Sequence, residues 1–139
     1  MVMCYHKRGG NTIFTVPQNY DSIVRLVCSV IIKGSRINTD EYRAYNSLES
    51  LGYDHRAVNH GLKEYARGDV HTNNCECRTA LLRLWMAKHR GVNKFNLELY
   101  LKTFQFIHNT RHLDDYSKFL RILSVVYMAT RFYIKSVKK

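Results

Sequence analysis

The sequence is short of acid, of proline and of long apolar runs. Its 139 residues hold 11 Asp and Glu against 22 Lys and Arg, with one Pro and one Trp. Near the C-terminus the longest stretch free of charge is Ile122–Thr130, nine residues. A membrane-spanning helix needs about 20 apolar residues, so no membrane partner is expected. Residues 1–10 lack an apolar segment and carry Lys7 and Arg8, so no secretory signal is expected. The four Cys then read as reduced thiols of a cytoplasmic chain. Gly-rich phosphate loops, nucleophile elbows and dinucleotide fingerprints are missing. A hydrophobic share of 45% excludes wholesale disorder, and the length suits one domain.

What is present in excess is positive charge, and it is unevenly placed. Residues 1–60 carry seven Lys/Arg and five acids, whereas residues 61–139 carry fifteen and six. That bias favours a polyanionic partner, nucleic acid first.

The pattern along the chain alternates. Arg8-Gly9-Gly10-Asn11 is a turn, and Thr12–Val16 is β-branched and aromatic, a strand ended by Pro17 whose partner can only be Met1–Lys7. Asn19 or Asp21 caps a helix with Ile23, Val24, Val27, Val30 and Ile31 at helical spacing. A short strand, Arg36–Thr39, delivers Asp40 at its end. The spacing then predicts a helix over Glu41–Leu51, a strand within Tyr53–Asn59 and a loop over Gly61–Asn74. Helices follow from Cys75 to near Gly91, over Leu97–Ile107, and from Asp114 or Asp115 to about Lys135. The whole is an α/β domain with a helical C-terminal half.

In so acid-poor a chain each carboxylate is informative. Asp40 stands at a strand end, where ligands of α/β sheets gather, and Glu76 stands at the start of a long helix. The pair suits a divalent cation, since Mg²⁺ takes one or two carboxylates plus substrate phosphates. An N-cap for Asp40 and a favourable first-turn charge for Glu76 account for the same positions. His71-x3-Cys75-x-Cys77 contains zinc-ligand types, but at a spacing poor for a structural site. The amides of 71–74 can hold a phosphate at the following helix start, with Asn73 or Asn74 as its cap.

The run Gly34-Ser35-Arg36-Ile37-Asn38-Thr39-Asp40-Glu41-Tyr42-Arg43-Ala44-Tyr45-Asn46 is distinctive. With Leu51-Gly52-Tyr53-Asp54-His55, Val58-Asn59-His60 and Glu64-Tyr65-Ala66-Arg67-Gly68-Asp69-Val70-His71-Thr72-Asn73, it closely resembles the ISXO2-like insertion-sequence transposases. The likeness runs from about Arg8 to about Arg111. It implies an RNase H-like catalytic domain of the DDE type over 1–112, with 113–139 as a helical extension. It also implies Mg²⁺ or Mn²⁺ ions that activate water or a 3′-hydroxyl against DNA phosphodiesters. On this pattern Asp40 matches the second catalytic Asp and Glu76 the conserved Glu, both as metal ligands. Asn73 rivals Glu76 as third ligand, and His71 matches a histidine that positions the scissile phosphate. Arg67, Arg78, Arg83, Lys88 and Arg90 are the candidate DNA contacts of the basic half.

Two departures stand against the pattern. The family's first Asp lies on a strand well before the turn matched by Arg8-Gly9-Gly10, and Met1–Lys7 contains no Asp or Glu. The RNase H-like fold is therefore expected to be incomplete, its first strand absent and its apolar faces uncovered. Cys77-Arg78-Thr79-Ala80 stands where the family has an aromatic-rich segment, with Arg83 near the expected helical basic residue. The expectation is a transposase catalytic-domain fragment that binds transposon-end DNA, associated with the nucleoid, and is inactive alone. A complementing N-terminal polypeptide or a homo-oligomer would be its partner. The alternative is a domesticated, non-catalytic DNA-binding or interaction module.

Overall fold

The computed structural model describes residues 2–64 and 66–137, with side chains as far as Met128. Among these residues the chain is a mixed α/β protein. The order is β1 (Met3–His6), β2 (Thr12–Thr15), α1 (Tyr20–Val30), β3 (Arg36–Thr39), β4 (Asp54–Ala57), β5 (Ala66–Arg67), β6 (Val70–His71), α2 (Asn73–Ala87), α3 (Leu97–Thr110) and α4 (Asp115–Val137). The strands pair as three two-stranded sheets, β1 with β2, β3 with β4 and β5 with β6. The chain divides into two compact units, Met1–Gln105 and Phe106–Lys139.

In the first unit, β1 and β2 form an antiparallel hairpin in register from Met3 opposite Thr15 to His6 opposite Thr12. Gly9, at φ 67°, takes the left-handed conformation that closes the turn. The period-2 alternation sends Phe14 and Cys4 to one face and Met3 and Tyr5 to the other. Phe14 packs with Leu82 of α2 and with Leu101 and Phe104 of α3. Met3 packs with Ile23 of α1 and with Ala44. Val27, Leu48 and Tyr53 make a third buried group. Asn19, not Asp21, caps α1: its side chain accepts from the Ser22 amide at 2.9 Å, and Ser22 Oγ accepts from the Asn19 amide at 3.0 Å.

β3 and β4 are parallel, with Arg36 opposite Asp54 and Thr39 opposite Ala57. Segment 40–53 makes the crossover, and here the structure corrects the expected helix. Only a 3-10 turn forms, Arg43–Tyr45, followed by further turns. The amides of Tyr45, Asn46 and Leu48 bond three residues back, to Tyr42, Arg43 and Tyr45. Asn46, Ser47 and Ser50 offer the backbone competing partners, as Ser50 Oγ on Ser47 O shows, and these residues disfavour a continuous helix. The expected burial survives the change, since Leu48 is fully buried.

The expected loop over Gly61–Asn74 is also corrected. It holds the end of a 3-10 turn, His60–Leu62, and the β5–β6 hairpin around Gly68, and α2 begins at Asn73. The Asn59 side chain fixes the first of these by accepting from the Leu62 amide at 3.0 Å. Neither Asn73 nor Asn74 caps α2; the cap position is Thr72, whose side chain makes no capping bond.

In the second unit, Asp114 caps α4 by accepting from the Ser117 amide at 2.9 Å. The described apolar residues of α4, Tyr116 through Met128, stay exposed.

Candidate functional site

One large groove, about 1790 Å³, runs through the first unit. All of β1 and all of β3 line it, together with Asp40, Glu41, His60, Asp69 and the residues that lead into α2.

Asp40 follows β3 directly. Its backbone is fixed by Thr39, a buried residue whose hydroxyl donates to Asp40 O at 2.7 Å and lies 2.8 Å from His55 Nε2. The Asp40 carboxylate accepts from the Tyr42 amide at 3.2 Å and is otherwise exposed to the groove. The expected N-cap role is corrected, since the cap position of the 3-10 turn is Tyr42; Asp40 holds only a local turn bond and faces the groove. Glu76 stands in the first turn of α2, where the helix dipole favours a negative charge. Its carboxylate accepts from Thr72 Oγ1 at 2.6 Å and lies 3.6 Å from His60 Nε2. His71 ends β6, lines the groove, and keeps a buried Nδ1 without a hydrogen-bond partner. The groove thus gathers Asp40 with His71 and Glu76, which stand 31 and 36 positions further along the chain. Asn73 is exposed and lies outside the lining, whereas its neighbour Asn74 belongs to it.

The basic candidates separate. Arg83 lines the groove. Arg67 donates to Ala57 O at 2.8 Å and lies 3.5 Å from Glu64. Arg78 turns back on its own helix, donating to Asn74 O at 2.9 Å. Lys88, the C-cap of α2, and Arg90 are exposed.

Several groups at the groove escape a reading of the sequence. Glu41 accepts from the amides of His60 (3.0 Å) and Gly61 (3.2 Å), tying the end of β3 to the loop after β4. Those backbone bonds, the one from His60 foremost, hold its carboxyl below the usual carboxylate range. Arg36 bridges Asp54 (2.8 Å) and Asp69 (3.0 Å), and Arg56 holds the other oxygen of Asp54 at 2.8 Å. Arg8 reaches the carbonyl of Asp69 as well. These exposed pairs add little stability singly, yet together they dock the β5–β6 turn against β3. The Arg56 bond, with that of Arg36 behind it, holds the Asp54 carboxyl low.

Asp40 and Glu76 are hard oxygen donors of the kind Mg²⁺ and Mn²⁺ prefer, and neither is paired with Lys or Arg among the described residues. Their donor type, not a measured separation, is what suits such an ion. No group of three His, Cys, Asp or Glu suited to a metal occurs among the described residues. The His71, Cys75 and Cys77 spacing therefore assembles no zinc site there. Cys75 turns instead to β1, its thiol donating to Cys4 O at 3.4 Å. Both thiols stay free, and a hydrogen bond between them pushes Cys4 up and holds Cys75 down.

The model of the ISXO2-like transposase domain family matches residues 1–109. The chain belongs to this family. A relative described as an uncharacterized protein in transposable element ISH50, from Halobacterium salinarum, is 46% identical over 70 residues, half of this chain and 24% of the relative. This transposase-family chain thus aligns with about a quarter of that relative's length. No solved structure matches it. Among the described residues, no helix of the transposase-family chain is long and apolar enough to cross a membrane.

Proposed function

We propose that this transposase-family chain acts on the phosphodiester backbone of double-stranded DNA at transposon ends, with Asp40 and Glu76 as its reacting-site carboxylates. The observation that carries the reading is the convergence of Asp40, Glu76 and His71 on one groove that Arg36 and Arg83 also line. The fold is read as RNase H-like over 1–112, with 113–139 as a helical extension. A parallel β3–β4 pair with Asp40 at its end supports that reading.

Each residue has a distinct task. Thr39 and the Tyr42 amide hold Asp40 in place, Thr72 holds Glu76, and His71 offers a ring nitrogen to a phosphate oxygen. Arg83, Lys88 and Arg90 neutralise flanking phosphates, with a smaller share from Arg67, which is already engaged. Mg²⁺ or Mn²⁺ bound by Asp40 and Glu76 supplies Lewis-acid activation of water or a 3′-hydroxyl. Asn73, outside the groove lining, is the weaker candidate for a third ligand. With two carboxylates rather than three, the chain alone binds DNA without cleaving it. Such a chain would work in the cytoplasm, on the nucleoid when DNA-bound. A non-catalytic DNA-binding module is the second reading, favoured by the excess of Lys and Arg over acids in residues 61–139.

The test is a labelled duplex titrated with the full chain, then incubated with millimolar Mg²⁺. Raising salt from 50 to 200 mM should weaken binding by about 10²-fold, as counterion release from three to four phosphates requires. Salt-insensitive binding would refute the phosphate-contact reading. Cleavage by the chain alone, abolished by Asp40→Asn, would refute the insufficiency of two carboxylates.

A further inference from the structure

We infer that Cys4 and Cys75 are a redox-active pair of thiols, which hydrogen peroxide closes into a disulfide that fastens α2 to β1. Both residues belong to the first unit and line its groove. The inference goes beyond the transposition reading and does not rest on it.

The two sulfurs are held together from both sides. The Cys75 thiol donates to Cys4 O at 3.4 Å, and the His6 amide, two residues further along β1, donates to the Cys75 sulfur. Cys75 is thereby held over the stretch of strand that carries Cys4. In return the Cys4 sulfur hydrogen-bonds the side chains of Cys75 and Thr79, which stand one turn apart on α2. The two elements pack against each other here. A disulfide needs two side chains that converge across a short gap, and thiols already in hydrogen-bond contact meet that need. The other cysteines do not. Cys28 is exposed on α1 and turns to Tyr53. Cys77 is exposed and lies two residues past Cys75, so it faces another side of the helix.

The surroundings divide the chemistry between the pair. Cys4 packs against the Phe14 cluster, whereas Cys75 stands in the first turn of α2 at the groove, so Cys75 reacts first. Its thiolate attacks one peroxide oxygen, the O–O bond breaks, and the departing hydroxide takes up the thiol proton to become water. Cys75 is then a sulfenic acid. The Cys4 sulfur attacks the Cys75 sulfur, forms the S–S bond and expels the hydroxyl, which leaves as a second water with the Cys4 proton. Two electrons pass from the sulfurs to peroxide. The new bond closes a loop between positions 71 apart, which removes freedom from the unfolded chain. In a reducing compartment such a bond is a transient sensor rather than a permanent staple.

The full chain carrying Cys28→Ser and Cys77→Ser, both at exposed sites, is reduced, freed of reductant and treated with a slight excess of hydrogen peroxide. Expected is a mass loss of about 2 Da, no thiol left to alkylate in urea, and a rise in urea midpoint of about 1–2 M, all reversed by dithiothreitol. Peptide mapping of the unsubstituted chain should find Cys4 joined to Cys75. Adding Cys4→Ser should stop the reaction at the Cys75 sulfenic acid, which dimedone captures. Two alkylatable thiols after peroxide, a crosslink between molecules, or an oxidised chain with the parent's urea midpoint would each overturn the inference. So would a Cys4→Ser chain whose Cys75 takes up no dimedone. Neither DNA nor metal enters these measurements, so their failure is distinct from failure of the transposition reading.

Discussion

Replacing Phe14 by alanine removes the side chain that ties β2 to two helices at once. Phe14 is 0% exposed, packs with Leu82, Leu101 and Phe104, and sets its ring edge-on to Phe104 at 5.5 Å between centroids. Deleting a buried phenylalanine costs about 3–5 kcal/mol in lost transfer energy and residual cavity. The middle of that range applies, because Trp85 and Met86 of α2 also pack against the cluster and can close part of the space. Against a total stability of about 5–15 kcal/mol this is a large fraction. With a urea slope of about 2 kcal/mol/M, a loss of about 4 kcal/mol lowers the midpoint by about 2 M. Urea melts followed by circular dichroism measure it. Phe14→Leu, which keeps most of the volume, should cost less than about 1.5 kcal/mol. Leu84→Ala, at a site 68% exposed on the same helix, should stay within about 0.5 kcal/mol of the parent. A loss below about 1 kcal/mol for Phe14→Ala would refute the packing argument, and so would an equal loss for Leu84→Ala.

Asn19→Ala removes the capping box of α1 and should cost about 1 kcal/mol, read as a drop in urea midpoint with unchanged slope; no change would mean that Ser22 alone holds the helix start. Burial holds the His55 imidazole below its usual value, so below about pH 6.5 the unfolded chain binds the proton more readily than the folded one. The contribution of His55 is full above that pH and is lost as pH falls through it toward the depressed value; His55→Gln should flatten the fall, and an unaltered pH profile would refute the assignment. Arg83→Ala should lower the slope of log affinity for duplex DNA against log salt by about one. Arg78→Ala should change that slope less, because its guanidinium is already spent on Asn74 O; equal slope changes would show that both arginines reach phosphate.

The elements that a sequence reading captures are those in which local and tertiary signals agree. α1 carries a cap, an apolar stripe and a stop, and Ile23 and Val27 are buried as the stripe requires. α3 keeps its helical period, with Leu101 and Phe104 buried, although Leu97, Leu99 and Leu101 alternate like a strand. Segment 41–51 misleads because Tyr42, Tyr45, Leu48 and Leu51 sit at helical spacing, while Asn46, Ser47 and Ser50 draw the backbone into turns that bury the same faces. The β5–β6 hairpin has two residues per strand, too short for any period to show. Its position is set by Asp69 reaching Arg36, a contact 33 residues long that no local pattern contains.

The site divides along the same line. Asp40 and Glu76 are legible because each is held by its own neighbourhood, a turn bond to Tyr42 and a hydroxyl from Thr72. Glu41 was open to the same reasoning, standing beside Asp40 in an acid-poor chain, but its task joins residues 19 and 20 positions apart. The direction of a cation is not legible at all. Arg78 and Arg83 lie on one helix with equal formal charge, yet one closes on its own backbone and the other lines the groove. Net charge therefore overstates the phosphate contacts open to this chain, and counterion release would measure the difference, because only a cation that faces phosphate releases an ion. The same reasoning applies to the two thiols. Cys4 and Cys75, 71 positions apart, meet because α2 leans on β1, and the Cys75 thiol donates to the Cys4 carbonyl, a contact that no spacing in the sequence announces.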